Sequence, residues 1–78
     1  MILEIITPEK SVYNGKATLV QFPGASGSFE VLDNHAPMVA ALKEGSIKIK
    51  DTDNKLTFIE IKGGTVQVES NHVLVLAD

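Results

Sequence analysis

GSFEVLDNHAPMVAALKEGSIKI, residues 27–49, is the stretch on which the fold turns. It opens on a glycine and a short β-like run, Phe29-Glu30-Val31-Leu32, which breaks at the polar elbow Asp33-Asn34-His35. Ala36-Pro37 leads into an apolar run, Met38–Leu42. A helix is locally allowed there, with Asn34 as N-cap and Gly45 beyond its end. The run is barely two turns long and too short for its periodicity to decide. A strand is the expectation. Past Gly45, Ile47 and Ile49 alternate with Ser46, Lys48 and Lys50 at the period of a half-buried strand.

The same alternation spreads outward in both directions. Ile2–Ile6 is rich in β-branched residues and stops at Thr7-Pro8. Ser11–Tyr13 ends at Asn14-Gly15, the dipeptide most typical of a tight hairpin, and Lys16–Phe22 reads as its return strand, closed by Pro23-Gly24. Asp51–Lys55 is a polar turn. Thr57, Ile59 and Ile61 alternate with Phe58, Glu60 and Lys62, and Gly63-Gly64 suggests another reversal. Val66 and Val68 then alternate with Gln67 and Glu69, and Ser70-Asn71 turns the chain into Val73–Ala77. The expected fold is all-β, a small antiparallel β-sandwich or flattened barrel of nine or ten short strands, formed as one domain over residues 1–78.

Composition excludes several functions. The net charge is −3 and all seven basic residues are lysine. Without arginine there is no guanidinium fork for phosphate, and the lysines are scattered among ten carboxylates, so no nucleic-acid partner is expected. There is no cysteine, hence neither a disulfide framework nor a thiolate metal site. No charged leader precedes an apolar core at the start, so no secretory signal is expected. No run approaches the ~20 apolar residues of a membrane-crossing helix.

Candidate chemistry is sparse. His35 lies near Asp33 and Ser28, but a hydrolytic triad needs a nucleophile elbow and an oxyanion hole that this sequence does not announce. His35 and His72 match no metal spacing, and Gly24–Gly27 lacks the lysine and hydroxyl ending of a phosphate loop. No catalytic residue, cofactor or metal is expected. What stands out is apolar surface beyond the needs of one inner face, in Ala36–Leu42 and Val73–Ala77. Either these strands are central and covered by loops, or their outer faces dock on another protein.

Against that background the sequence resembles the N-terminal β-sandwich of the epsilon subunit family of F-type ATP synthases. Leu3–Pro8 is similar to the family's opening strand and its "TP" stop, and Val12–Gly15 to its first turn. GSFEVLDNHAP, residues 27–37, resembles "GELGILPGHAP", with Asp33-Asn34 in place of proline-glycine, Glu30 in place of glycine and Ser28 where an acidic residue is common. Leu42–Ile49 resembles "LKPGxxRI", and Gly63-Gly64 with Val73–Asp78 resembles "GG" and the closing "VTVLAD". The resemblance implies a non-catalytic rotor subunit of the central stalk, in the F1 sector of a proton- or sodium-translocating synthase. Such a subunit lies at the cytoplasmic face of a bacterial inner membrane and meets the membrane only through the complex. It further implies a gamma-subunit contact at Thr7, His35, Ala36, Pro37, Met38, Val39, Ala40, Ala41 and Leu42. A contact with the loops of the c-ring is implied at Ser26, Gly27, Ser28, Phe29 and Glu30. Family members continue past "LAD" into a two-helix inhibitory hairpin, and a short form without it is expected here. The rival reading is a free-standing β-sandwich adaptor for an unrelated protein.

Overall fold

The computed structural model describes residues 1–78 and contains six strands and no helix. They are β1 (Ile2–Ile6), β2 (Ser11–Phe22), β3 (Phe29–Leu32), β4 (Met38–Asp51), β5 (Leu56–Glu69) and β6 (His72–Ala77). The sheet order is β1-β6-β5-β4-β2-β3, and an additional β1–β2 pairing closes the first five into a barrel, with β3 added beside β2. Every ladder is antiparallel except β1 with β6, which run parallel.

The β-sandwich expectation holds, and the Met38–Leu42 run is extended as expected, but the count of nine or ten strands is corrected to six. The difference lies in three glycine sites expected to end strands. Asn14-Gly15 continues β2, opposite Glu4 and Leu3. Gly45 continues β4 opposite Ile61, and Gly63-Gly64 continues β5 opposite Lys43 and Leu42. Gly45 and Gly63-Gly64 mark close approaches inside long strands. A β-carbon on Gly45 would stand 2.8 Å from the Pro23 side chain. On Gly64, whose φ is +146°, it would collide with the Leu76 carbonyl oxygen and stand 2.9 Å from the Ala77 α-carbon. True reversals occur where the backbone is left-handed, at Asn54 between β4 and β5 and at Ser70-Asn71 between β5 and β6.

Because β4 and β5 run through these points unbroken, each serves two walls. Met38–Lys43 of β4 and Gly63–Val68 of β5 belong to a wall with β6 and β1, while Gly45–Lys50 and Leu56–Ile61 belong to a wall with β2 and β3. Between the walls lies one cluster of sixteen buried apolar residues, with Phe22, Leu3, Ile5, Ile47 and Ile49 its largest fully buried members. Removing a leucine or isoleucine side chain from such a core costs about 2–5 kcal/mol. Two polar ties hold the elbow to the barrel. The Met1 ammonium donates to Ala17 O (2.9 Å) and to the Asp33 carboxylate, and the Asn34 amide donates to Asn71 Oδ1 (2.8 Å).

The Gly64→Ala variant is expected to lose about 3 kcal/mol or more, because strain at positive φ adds to overpacking against β6. At Gly15 the nearest atom to an added β-carbon is Tyr13 Cε1 at 3.6 Å, an ordinary contact. Gly15→Ala should therefore stay within about 1 kcal/mol of the parent. Urea unfolding of both variants checks the pair.

Tyr13 packs against the core. Burial, and secondarily the Asp51 carboxylate, holds its phenol above the ordinary pKa. The folded chain therefore binds that proton more tightly than the unfolded chain. The associated stability is present below pH about 10 and is lost as pH rises through the raised folded value. Urea unfolding across that range should show a steeper alkaline loss in the parent than in Tyr13→Phe.

Candidate docking surface

The residues singled out for chemistry are each engaged elsewhere. Ser28 Oγ lies 3.3 Å from Gln21 Nε2, Asp33 holds the Met1 ammonium, and His35 Nδ1 meets the Ala36 carbonyl at 2.7 Å. His72 Nε2 lies 2.9 Å from Glu4 Oε1. No three His, Cys, Asp or Glu side chains converge on a metal position. These bonds tie turns and neighbouring strands to one another, and they assemble no nucleophile with a base.

The apolar surplus has a definite place. Alternation along β4 turns Leu42 into the core, 6% exposed, and leaves Val39 outside, 72% exposed. Along β6, Val73 and Val75 are buried while Leu74 and Leu76 face outward. Cross-strand register sets these outward residues in rows across one wall. Val39 neighbours Gln67, then Leu74, then Glu4; Ala41 neighbours Thr65, then Leu76, then Ile6. The two apolar runs noticed in the sequence therefore flank β5 on a single face, and Ile2, 47% exposed, and the half-buried Ile6 extend it along β1.

The expected gamma-contact residues frame this wall. The elbow carrying His35, Ala36 and Pro37 sits at the corner where Asn34 bonds Asn71. Met38 is half-buried and packs against the core, and Ala40 does likewise. Thr7 follows Ile6 at the far corner, where its amide donates to the Lys10 carbonyl (2.9 Å) and its hydroxyl to the same oxygen (3.1 Å). Leu42 itself belongs to the core cluster.

Of the residues expected to meet the ring, Ser26–Ser28 lie in a turn against the edge of β4, and Phe29 and Glu30 begin β3. Ala25, Ser26, Gly27 and Ser28 are exposed, while Phe29 is half-buried and tilts onto Phe22 with ring centroids 5.4 Å apart. Ala25 N donates to Ala41 O and Lys43 N to Pro23 O, both at 2.9 Å. A shallow cleft of about 290 Å³ separates the turn from Met38–Ala41, with Phe29 in its lining. The two residue sets thus meet along one edge of β4. Glu30 stands farther off, opposite Gln21 on β2.

Sequence reasoning overlooked Ile2, Ile6 and the opposite wall. There Leu56 and Phe58 on β5 and Leu32 on β3 are 50–61% exposed. The one available signal was Leu56-Thr57-Phe58-Ile59, where large apolar side chains fall on both faces of the strand, so polarity does not show which face is inward.

Comparison with known proteins places this geometry in context. The family model for the "ATP synthase, Delta/Epsilon chain, beta-sandwich domain" matches residues 1–78. The chain is 36% identical over 76 residues to the ATP synthase epsilon chain of Chlorobium limicola, covering 97% of this chain and 86% of that one. It is 33% identical over 76 residues to the epsilon chain of Polynucleobacter necessarius, covering 97% of this chain but only 55% of the relative. In fold it is similar to a chain of the Euglena gracilis mitochondrial ATP synthase, in a cryo-EM structure of OSCP, F1 and c-ring. The TM-score is 0.93 at 19% identity, over 99% of this chain and 49% of that one.

Alternation along β4 separates surface from core at single residues. Val39→Asp should leave stability within about 0.5 kcal/mol of the parent, as expected for an exposed site. Leu42→Asp buries a charge without a partner and should leave the chain unfolded at ambient temperature. Thermal melts followed by circular dichroism distinguish the two.

Proposed function

Because the chain belongs to the β-sandwich family of ATP synthase delta and epsilon chains, we propose that it serves as a non-catalytic element of a synthase central stalk. It packs on the gamma subunit through the β4–β5–β6–β1 wall and meets the c-ring loops through residues 26–30, the end of the turn before β3 and that strand's first two residues. The observation that carries this reading is the wall itself. Val39, Ala41, Leu74, Leu76, Ile2 and Ile6 form an outward apolar face on an otherwise complete barrel.

The physics of the role is mechanical. A subunit that turns with its partners needs stiffness and a contact that does not slip. A closed barrel supplies the first through continuous ladders around the β1–β2 seam. The wall suits the second, because its apolar rows are interrupted by Thr65, Gln67 and Glu4, and polar groups in fixed register oppose sliding where an apolar plane alone would permit it. The segment at residues 26–30 is mostly polar and uncharged apart from Glu30, which suits contact with hydrated loops. The ring contact is thus the lighter of the two, and the coupling ion is chosen elsewhere.

Mixing the chain with the gamma subunit of the same organism is expected to give a one-to-one complex on size exclusion. Val39→Asp or Leu76→Asp should weaken it by about tenfold or more, the loss typical of a buried interface anchor. A complex of unchanged affinity in both folded variants would move the gamma contact off this wall.

A further inference from the structure

Asn14-Gly15 is the one motif of the sequence that neither the turns nor the docking surface absorbs. As a flexible dipeptide it is the most labile of deamidation sites, because glycine leaves its own amide nitrogen free to reach the asparagine side chain. Here it is not in a turn. It lies in β2 at the seam that closes the barrel, with Asn14 opposite Glu4 and Gly15 opposite Leu3. Two residues along, the Ala17 amide donates to Met1 O at 2.9 Å. Antiparallel ladders bond alternate pairs, which makes Leu3 and Gly15 the next mutually bonded pair. The nucleophilic nitrogen is thereby tied up, and the backbone at Asn14 is held extended, away from ring closure. The Asn14 side chain meanwhile faces solvent.

We propose that Asn14 is a latent site of spontaneous deamidation, gated by the β1–β2 seam, whose conversion records opening of the barrel and then hinders its reclosure. When the seam opens, the Gly15 nitrogen attacks Asn14 Cγ. A new N–C bond forms, the bond from Cγ to the side-chain nitrogen breaks, and that nitrogen leaves as ammonia carrying the glycine proton. Addition of one water molecule to either carbonyl of the succinimide then yields aspartate or isoaspartate. Both products put a carboxylate across the strand from Glu4, and like charges directly opposite disfavour pairing. Isoaspartate also lengthens the backbone by one methylene and shifts the register beyond it. That register already slips once, between Ile5 and Ile6. The proposal does not depend on the docking partner, because β2 contributes nothing to the apolar rows of the wall.

The test follows deamidation of the folded chain and of the same chain in urea. The readout is the mass gain of an amide-to-acid conversion, assigned by peptide mapping, together with isoaspartyl methyltransferase labelling. Conversion at Asn14 should be slower by about tenfold or more in the folded chain, reflecting the small fraction of time the seam is open. Equal rates, or conversion that maps to Asn34, Asn54 or Asn71 instead, would overturn the gate. Gly15→Ala, which the strand accommodates, should suppress conversion at Asn14 in urea, and undiminished conversion would overturn the assigned nucleophile. Purified deamidated chain should unfold at lower urea than the parent, with part of the difference recovered by Glu4→Gln. Identical midpoints for deamidated and parent chains would overturn the hindered reclosure.

Discussion

Close contact of backbone with backbone at Gly64 is the constraint on which the rest of the molecule depends. A β-carbon there would strike the Leu76 carbonyl, so the second half of β5 can lie against β6 only because the residue has none. With that contact made, β5 continues from one wall to the other without a break, and its partner β4 does so beside it. Six strands then suffice to wrap sixteen apolar side chains. Were the chain to turn at Gly63-Gly64, each wall would need its own short strands and its own exposed edges, which small β-proteins must otherwise protect.

That constraint also explains which parts of the fold could be seen beforehand. Alternation at Ile47 and Ile49 and at Val66 and Val68 marks inward positions correctly, because a half-buried strand writes its period directly into the residues. The ends of strands are different. Asn14-Gly15 and Gly63-Gly64 carry the local chemistry of turns, yet both lie in ladders. Glycine is selected in a turn for its backbone freedom and in a packed strand for the absence of a side chain, and a single sequence does not say which. Ser70-Asn71 and Asn54 turn as their composition suggests, with the backbone at positive φ.

The candidate surface was legible to a similar degree. Ala36–Leu42 and Val73–Ala77 stood out by their lack of polar residues. Their placement on one face, separated by the Thr65 and Gln67 positions of β5, is a matter of register between segments more than thirty residues apart in sequence. Nothing local encodes that distance. Ile2 and Ile6 escaped notice for the same reason, since their exposure follows from the parallel pairing of the first strand with the last. Leu42 shows the converse: it shares an apolar run with Val39, yet it lies three positions further along the strand, and strand geometry sends the two to opposite faces.

The composition of the wall bears on what such a face could bind. A face of unbroken leucine and isoleucine would drive association with any apolar surface, including copies of itself. Here each apolar row is crossed by a polar residue of β5 or β1, and Glu4 is engaged by His72 at the margin. Interfaces that form between folded partners differ little from ordinary surface in overall polarity and draw their selectivity from the pattern. A partner must therefore match both the apolar positions and the donors and acceptors between them. Because β5 is clamped on both sides by ladders, those groups hold fixed positions before any partner arrives, and little side-chain or backbone ordering remains to oppose binding. The rigidity that the glycine contacts confer on the barrel is thus the same property that makes its outer face selective.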